Sequence, residues 1–151
     1  MGEVKIRKAE ISDFKELYEI GKNTPELRVS GTEVFMDADE FEWAIKNSKS
    51  VFLVAEHKKQ IVGFIYTSAK DLDKPFQHRY ACLVYIVVLP EFRRKGTAKK
   101  LYNESERRLR TLGITHNYLW ANIEGNGEIV KFMKNRGFKE GHKYMWMDKK
   151  I

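Results

Sequence analysis

The residues best placed to do chemistry lie in one short stretch, Val88-Leu89-Pro90-Glu91-Phe92-Arg93-Arg94-Lys95-Gly96-Thr97-Ala98. An apolar run ends at a proline, a basic turn follows, and a helical pattern begins. The first N–H groups of such a helix have no acceptor within it, and its dipole places about half a positive charge there. That arrangement holds phosphate. Gly96 lets backbone approach an anion closely, and Ala98 keeps the first helical turn free of bulk. Arg93, Arg94 and Lys95 add charge at the rim, and Lys99 and Lys100 extend it by a turn. The glycines of a Walker loop or a dinucleotide fingerprint are missing. Turn chemistry by itself fits a plain strand–turn–helix with solvated basic side chains equally well.

The remaining reactive side chains form no recognisable site. His57, His78, His116 and His142 lack metal-ligand spacing, so no metal is expected. Cys82 reads as a small apolar residue of a central strand rather than a nucleophile. Being the lone cysteine, it excludes an internal disulfide framework and fits a reducing compartment.

The elements that must position the basic turn follow from periodicity. Val4 to Arg7 alternates like a short edge strand. A helix starts at Asp13, with Glu16 three residues on as a capping box, and ends at Asn23-Thr24-Pro25; Phe14, Leu17, Tyr18 and Gly21 share a face. A second helix spans Asp39–Asn47 with Phe41, Ala44 and Ile45 inward. Val51–Glu56 and Ile61–Ser68 form a hairpin about the turn His57-Lys58-Lys59-Gln60. Tyr80–Leu89 lacks alternation, as in a strand covered on both faces, and Pro90 stops it. Thr97–Leu112 is a helix with Ala98, Leu101, Tyr102, Ser105, Leu109 and Leu112 inward. A strand over Tyr118–Ala121, a helix over Glu128–Arg136 and one or two strands within Phe138–Lys149 complete one mixed α/β domain over residues 1–151.

Composition agrees. With 42% hydrophobic residues the chain can bury a core, which argues against disorder. No apolar run reaches the roughly 20 residues a membrane-spanning helix needs, and the N-terminus lacks a secretory apolar stretch. The expectation is a soluble cytoplasmic protein with no membrane partner. A net charge of +7 points to an anionic partner without choosing one.

Two motifs narrow the choice. Arg93-x-x-Gly96-x-Ala98, after a strand ending Val-x-Pro, resembles the acetyl-CoA pyrophosphate loop of the GNAT superfamily of N-acetyltransferases. Asn126-x-x-Ile129-x-x-Phe132-Met133-x-x-x-Gly137-Phe138 is similar to that family's Asn-x-x-Ala-x-x-Phe-Tyr-x-x-x-Gly-Phe, at the family's spacing. The resemblance covers essentially the whole chain. It implies the GNAT fold: a mixed, mostly antiparallel sheet splayed between its fourth and fifth strands, flanked by about four helices. It also implies acetyl-CoA as donor. Ile86, Val87 and Val88 would then offer main-chain contacts to pantetheine, the amides from Arg93 to Ala98 would hold the pyrophosphate, Asn126 would touch the cofactor arm, and Phe132 would pack nearby.

Two family features are altered. Met133 replaces the Tyr often assigned as general acid, and Val84-Tyr85 occupies the neighbourhood where a strand carboxylate often serves as base. Direct attack in a ternary complex remains feasible. At pH 7 a lysine-type amine pays roughly 4.6 kcal/mol to be neutral and an α-amine roughly 1.4 kcal/mol, and positioning and polarised amides supply much of the rest. Tyr85 is the nearest candidate for a polar catalytic role, with a buried core tyrosine as the alternative.

In the family the acceptor enters opposite the cofactor, here between residues 24–40 and 138–146. Glu26, Glu33, Asp37, Asp39 and Glu40 could attract a cationic amine or simply stabilise a helix start. Trp43, Trp120, Tyr144 and Trp146 suit an aromatic pocket or a core. The leading function is acetyl transfer to a primary amine: a protein N-terminus, a lysine or a small amine; a homodimer is compatible. A catalytically silent CoA-binding scaffold is one alternative. A nucleic-acid module using Arg93–Lys100 with Arg107, Arg108 and Arg110 is another, although no helix-turn-helix, RRM-like motif or zinc finger supports it.

Overall fold

The structure, a computed structural model, describes residues 2–28, 35–69, 77–123, 125–145, 147 and 149–151. Gly31 and Glu33 of the first inter-helix segment, and Trp146, lie outside them. Five strands, β1 (Lys5–Lys8), β2 (Ser50–His57), β3 (Gln60–Ala69), β4 (Tyr80–Val88) and β5 (His116–Tyr118), form one sheet in chain order. The first four pair antiparallel; β4 and β5 are parallel, joined by a crossover through the long helix α3 (Thr97–Thr111). Helices α1 (Phe14–Lys22) and α2 (Ala38–Lys46) cover one face, and α3 and α4 (Glu128–Lys134) the other.

Both faces are covered, so β2 and β3 have almost no solvent side. Phe52, Val54 and Phe64 meet Leu17 and Phe41 under α1 and α2; Leu53, Ile65 and Leu83 meet Leu101, Leu109 and Met133 under α3 and α4. The β2–β3 turn places Lys58 and Lys59 at φ of 48° and 66°, the left-handed pair that matches strand twist in a two-residue hairpin. Helix α3 buries the expected stripe of Leu101, Tyr102, Ser105 and Leu109, with Thr97 rather than Ala98 as its most buried first-turn residue.

Three expectations are corrected. The capping interaction lies one turn earlier than Asp13–Glu16: Asp13 accepts the N–H of Glu10 at 2.8 Å because Arg7 on β1 grips its carboxylate at 2.7 and 2.9 Å. Glu16 is thereby free to reach across and accept the N–H of Ile61 on β3 at 3.0 Å. Strand β5 covers His116–Tyr118 rather than Tyr118–Ala121, since the N–H groups of Thr115 and His116 both anchor on the Arg79 carbonyl and start the pairing early. No strand forms among the described residues after α4: Tyr144, Met145 and Met147 find no sheet face to cover and stay exposed.

Candidate active site

Strand β4 is paired with β5 only through Tyr80–His116, Ala81–Asn117 and Cys82–Tyr118. Beyond Cys82 the two strands part. The departure coincides with a bulge in the β3–β4 ladder, where Tyr66 faces Tyr85 and Thr67 faces Leu83, leaving Val84 as the extra residue. Leu89 donates to Val62 on β3 at 2.9 Å. Antiparallel alternation then turns the N–H and C=O of Ile86 and Val88 away from β3, toward the gap. Val87 spends its main-chain groups on β3 opposite Phe64 and buries its side chain under α1 and α2. The strand therefore ends in an edge without a strand neighbour, to which Ile86 and Val88 turn their peptide groups.

The turn beyond β4 is braced from within. Residues Pro90–Phe92 make a 3-10 turn. The Phe92 ring lies between the His57 imidazole (5.4 Å between centroids) and the Lys95 ammonium (5.7 Å from the centroid), and its carbonyl accepts from the Thr97 hydroxyl at 3.3 Å. Lys95 donates to the Glu91 carbonyl at 2.6 Å, and Arg93 Nε donates back to the Val88 carbonyl at 2.9 Å. Arg94 at φ 58° and Gly96 at φ 81° bend the chain into α3. A Cβ on Gly96 would meet nothing within 4 Å, so the concave side of the turn is open. Gly96 caps the helix without a side-chain bond, and the first helical bond runs from Lys100 to Gly96 at 2.9 Å. The N–H groups of Thr97, Ala98 and Lys99 consequently have no acceptor within the helix. Three formal positive charges, Arg93, Arg94 and Lys95, stand solvent-exposed around them.

The second motif lies beside this turn. Arg94 reaches Glu128 at 3.9 Å, which brings the start of α4 and the exposed Asn126 ahead of it to the same end of the sheet. Phe132 is half-buried against Tyr102 (6.4 Å), with the Arg136 guanidinium 3.5 Å over its ring. Met133 is only 3% exposed and belongs to the core.

Tyr85, next to the bulge, faces α1 and α2. Its hydroxyl donates to the Phe35 carbonyl at 2.8 Å and its ring meets the Phe35 ring edge-on at 5.5 Å. Burial, with the Glu40 carboxylate adding to it, pushes the phenol up to about 12, so it keeps its proton at neutral pH. Burial raises the Tyr66 phenol too. Tyr18 donates to the next carbonyl, Met36, at 3.0 Å. Two tyrosines thus pin consecutive carbonyls of the segment entering α2. Sequence reading missed Phe35 and the Gly21 notch that seats it: a Cβ on Gly21 would fall 2.3 Å from the Phe35 ring. A glycine on the buried stripe of an amphipathic helix was the available signal.

A cavity of about 480 Å³ opens between the end of β4 and the end of α1, lined by Val87, Val88, Leu89, Pro90 and Arg93 on one side and by Ile20, Asn23, Thr24 and Pro25 on the other. Among the described residues no cluster of three or more His, Cys, Asp or Glu could hold a metal ion, and no helix is long and apolar enough to cross a membrane. Arg107, Arg108 and Arg110 pair with Glu104 and Glu106 on their own helix.

Comparison with known proteins places this geometry. An uncharacterised N-acetyltransferase of Methanocaldococcus jannaschii is 29% identical over 100 residues, covering 66% of this chain and 44% of that protein. The chain thus spans less than half the length of the curated relative it matches. Among solved structures, the aminoglycoside N-acetyltransferase AAC(6')-Iy in complex with a CoA-based bisubstrate analogue superposes with a TM-score of 0.77 at 18% identity, covering 99% of this chain and 100% of its own. The 6'-N-acetyltransferase AAC(6')-Ih from Acinetobacter baumannii gives 0.74 at 20% identity, covering 99% of each. A transcriptional regulator from Bacillus halodurans gives 0.78 at 18% identity, covering 97% of this chain and 99% of its own. At such identities the structural likeness speaks to the fold alone, and the fold it shows is the GNAT fold. The acetyltransferase (GNAT) family model matches residues 14–138, from the start of α1 to just past α4, and the chain belongs to that family.

Proposed function

We propose that this protein is an N-acetyltransferase that moves the acetyl group of acetyl-CoA to a primary amine by direct attack within a ternary complex. The observation that carries the reading is the open run of β4 leading into an uncapped helix N-terminus rimmed by cations. Acetyl-CoA supplies a thioester whose carbonyl carbon takes the amine and whose thiolate is the leaving group. The peptide groups of Ile86 and Val88 hold the pantetheine arm, with Val87 shaping the wall behind them. The amides of Thr97, Ala98 and Lys99 take the diphosphate, supported by the charge of Arg93, Arg94 and Lys95 and by the absence of a side chain at Gly96. Asn126 contacts the cofactor from the α4 side, while Phe132 stiffens that wall.

On the acceptor side, Tyr85 acts as a hydrogen-bond donor rather than a base, because its proton is held by burial and committed to Phe35. Glu40, exposed on α2, adds negative charge that attracts the cationic acceptor, whose proton passes to water or to a group on the acceptor side. With Met133 buried where the family carries a tyrosine, the leaving thiolate departs without a side-chain acid from that position. The acceptor class is a primary amine on a small cation, a lysine or a protein N-terminus; several fold neighbours are aminoglycoside acetyltransferases, which is consistent with a cationic acceptor. We assign residues 1–151 to one domain working in the cytoplasm, where Cys82, the chain's single cysteine, stays reduced.

The test is calorimetric titration with acetyl-CoA, followed by thiol release across a panel of polyamines, aminoglycosides and peptides. Binding with amine-dependent release of CoA supports the reading. No binding of acetyl-CoA refutes it.

A further inference from the structure

The Val88 carbonyl turns into the gap beside β4, where an extended ligand would seek a main-chain acceptor. It is already taken. Arg93 folds back from the turn and donates Nε–H to it at 2.9 Å, and the same side chain lines the cavity at the strand's end. We infer that Arg93 is an exchange latch: in the free protein its guanidinium occupies the strand edge at Val88, and a bound diphosphate draws it off, opening the edge to the ligand's amide-bearing arm. The inference rests on the proposed acetyl-CoA site and adds to it an order of engagement.

The driving force is the difference between two acceptors. A guanidinium on a neutral carbonyl makes an ordinary charge-assisted bond, whereas on a diphosphate it forms paired bonds to a formal anion, which are stronger and geometrically matched. Arg93 belongs to the same turn as the free amides of Thr97 and Ala98, and Phe92, beside His57 and Lys95, braces that turn. Arg93 carries five N–H donors, and the bond to Val88 that an arm would have to displace uses Nε. A ligand with an arm and no diphosphate must therefore displace the guanidinium unaided. A ligand with both does not.

Opposite signs follow for two probes. Arg93→Ala should weaken acetyl-CoA binding about tenfold or more by removing a charged phosphate partner. The same change should tighten S-acetylpantetheine about three- to tenfold by vacating the Val88 carbonyl. In the wild type, inorganic pyrophosphate should tighten S-acetylpantetheine by a similar factor, and in Arg93→Ala it should not. Arg93→Lys, which keeps the charge but cannot reproduce the Nε bond or the paired bonds to a diphosphate, should lose less acetyl-CoA affinity than Arg93→Ala while still gaining for S-acetylpantetheine. Titration calorimetry reads all three ligands. If S-acetylpantetheine binds both variants no more tightly than the wild type, or pyrophosphate leaves its affinity unchanged in the wild type, the latch is refuted even though acetyl-CoA binds. If acetyl-CoA does not bind the wild type, the site assignment itself has failed.

Discussion

Replacing Gly21 by alanine should destabilise the protein, although the change favours a helix. On propensity alone alanine gains about 1 kcal/mol over glycine. The structure opposes it: the new Cβ would sit 2.3 Å from Cζ and 2.7 Å from both Cε atoms of Phe35. Phe35 is 3% exposed and packs edge-on or tilted against Tyr18, Phe41 and Tyr85, so it has no room to step aside. Expelling a buried phenylalanine costs about 3–5 kcal/mol. Net of the propensity gain, Gly21→Ala should lose about 2–4 kcal/mol, lowering the melting temperature by roughly 5–15 °C for a chain of this size. Thermal and urea unfolding of Gly21→Ala, Phe35→Ala and the double variant give the test. With the ring gone the alanine meets open space, so the double variant should be no less stable than Phe35→Ala alone. A Gly21→Ala protein as stable as the wild type, or a double variant that loses the sum of the two, would refute the notch argument.

Other expectations are independent of that one. Tyr85→Phe should lower kcat/KM for the acceptor about tenfold with little change in the KM of acetyl-CoA, since it frees the Phe35 carbonyl on the acceptor side only; unchanged turnover on the true acceptor would remove Tyr85 from the mechanism. Gly96→Val should weaken acetyl-CoA binding about tenfold or more by calorimetry, because a β-branched residue resists φ near 81° and its side chain fills the open side of the turn. Glu104 is held at about 2 by its bonds to Arg107 and Arg108, below its ordinary 4.5. A depressed carboxyl stabilises the fold above its unfolded value and loses that contribution as pH falls from about 4.5 through 2. Solvent screening brings the contribution to about 1 kcal/mol. Glu104→Gln should thus be less stable than wild type at pH 6–7 by chemical denaturation, with the gap closing toward pH 2.

Periodicity carried the sheet and helices because burial on both faces leaves an unambiguous signal. The uninterrupted apolar run of β4 and the stripe of Leu101, Ser105 and Leu109 on α3 are of this kind. The basic turn was legible for a similar reason, as strand end, proline, glycine and helix start are each local. What escaped depended on partners distant in sequence. Asp13 serves Glu10 rather than its own helix because Arg7 on another strand claims it. The bulge at Val84 is a matter of register with β3, and the Gly21–Phe35 fit joins a helix to a segment fourteen positions on. The residues singled out on β4 also had orientations hidden from sequence. Alternation against β3 turns Ile86 and Val88 outward and Val87 inward, and the Leu89–Val62 bond reveals which way.

The sheet has borders of two characters. On its outer flank β1 carries Lys5 and Lys8, exposed charges that repel a stray strand from another molecule. The stretch of β4 beyond its pairing with β5 carries no charged side chain of its own from Leu83 to Val88, and it lies beside the gap left where β5 departs. A foreign strand brings side chains on both faces and needs the full spacing of about 4.8 Å on either side. A thin, unbranched chain needs far less. A gap between two strands of one sheet thus suits the second kind of guest better than the first.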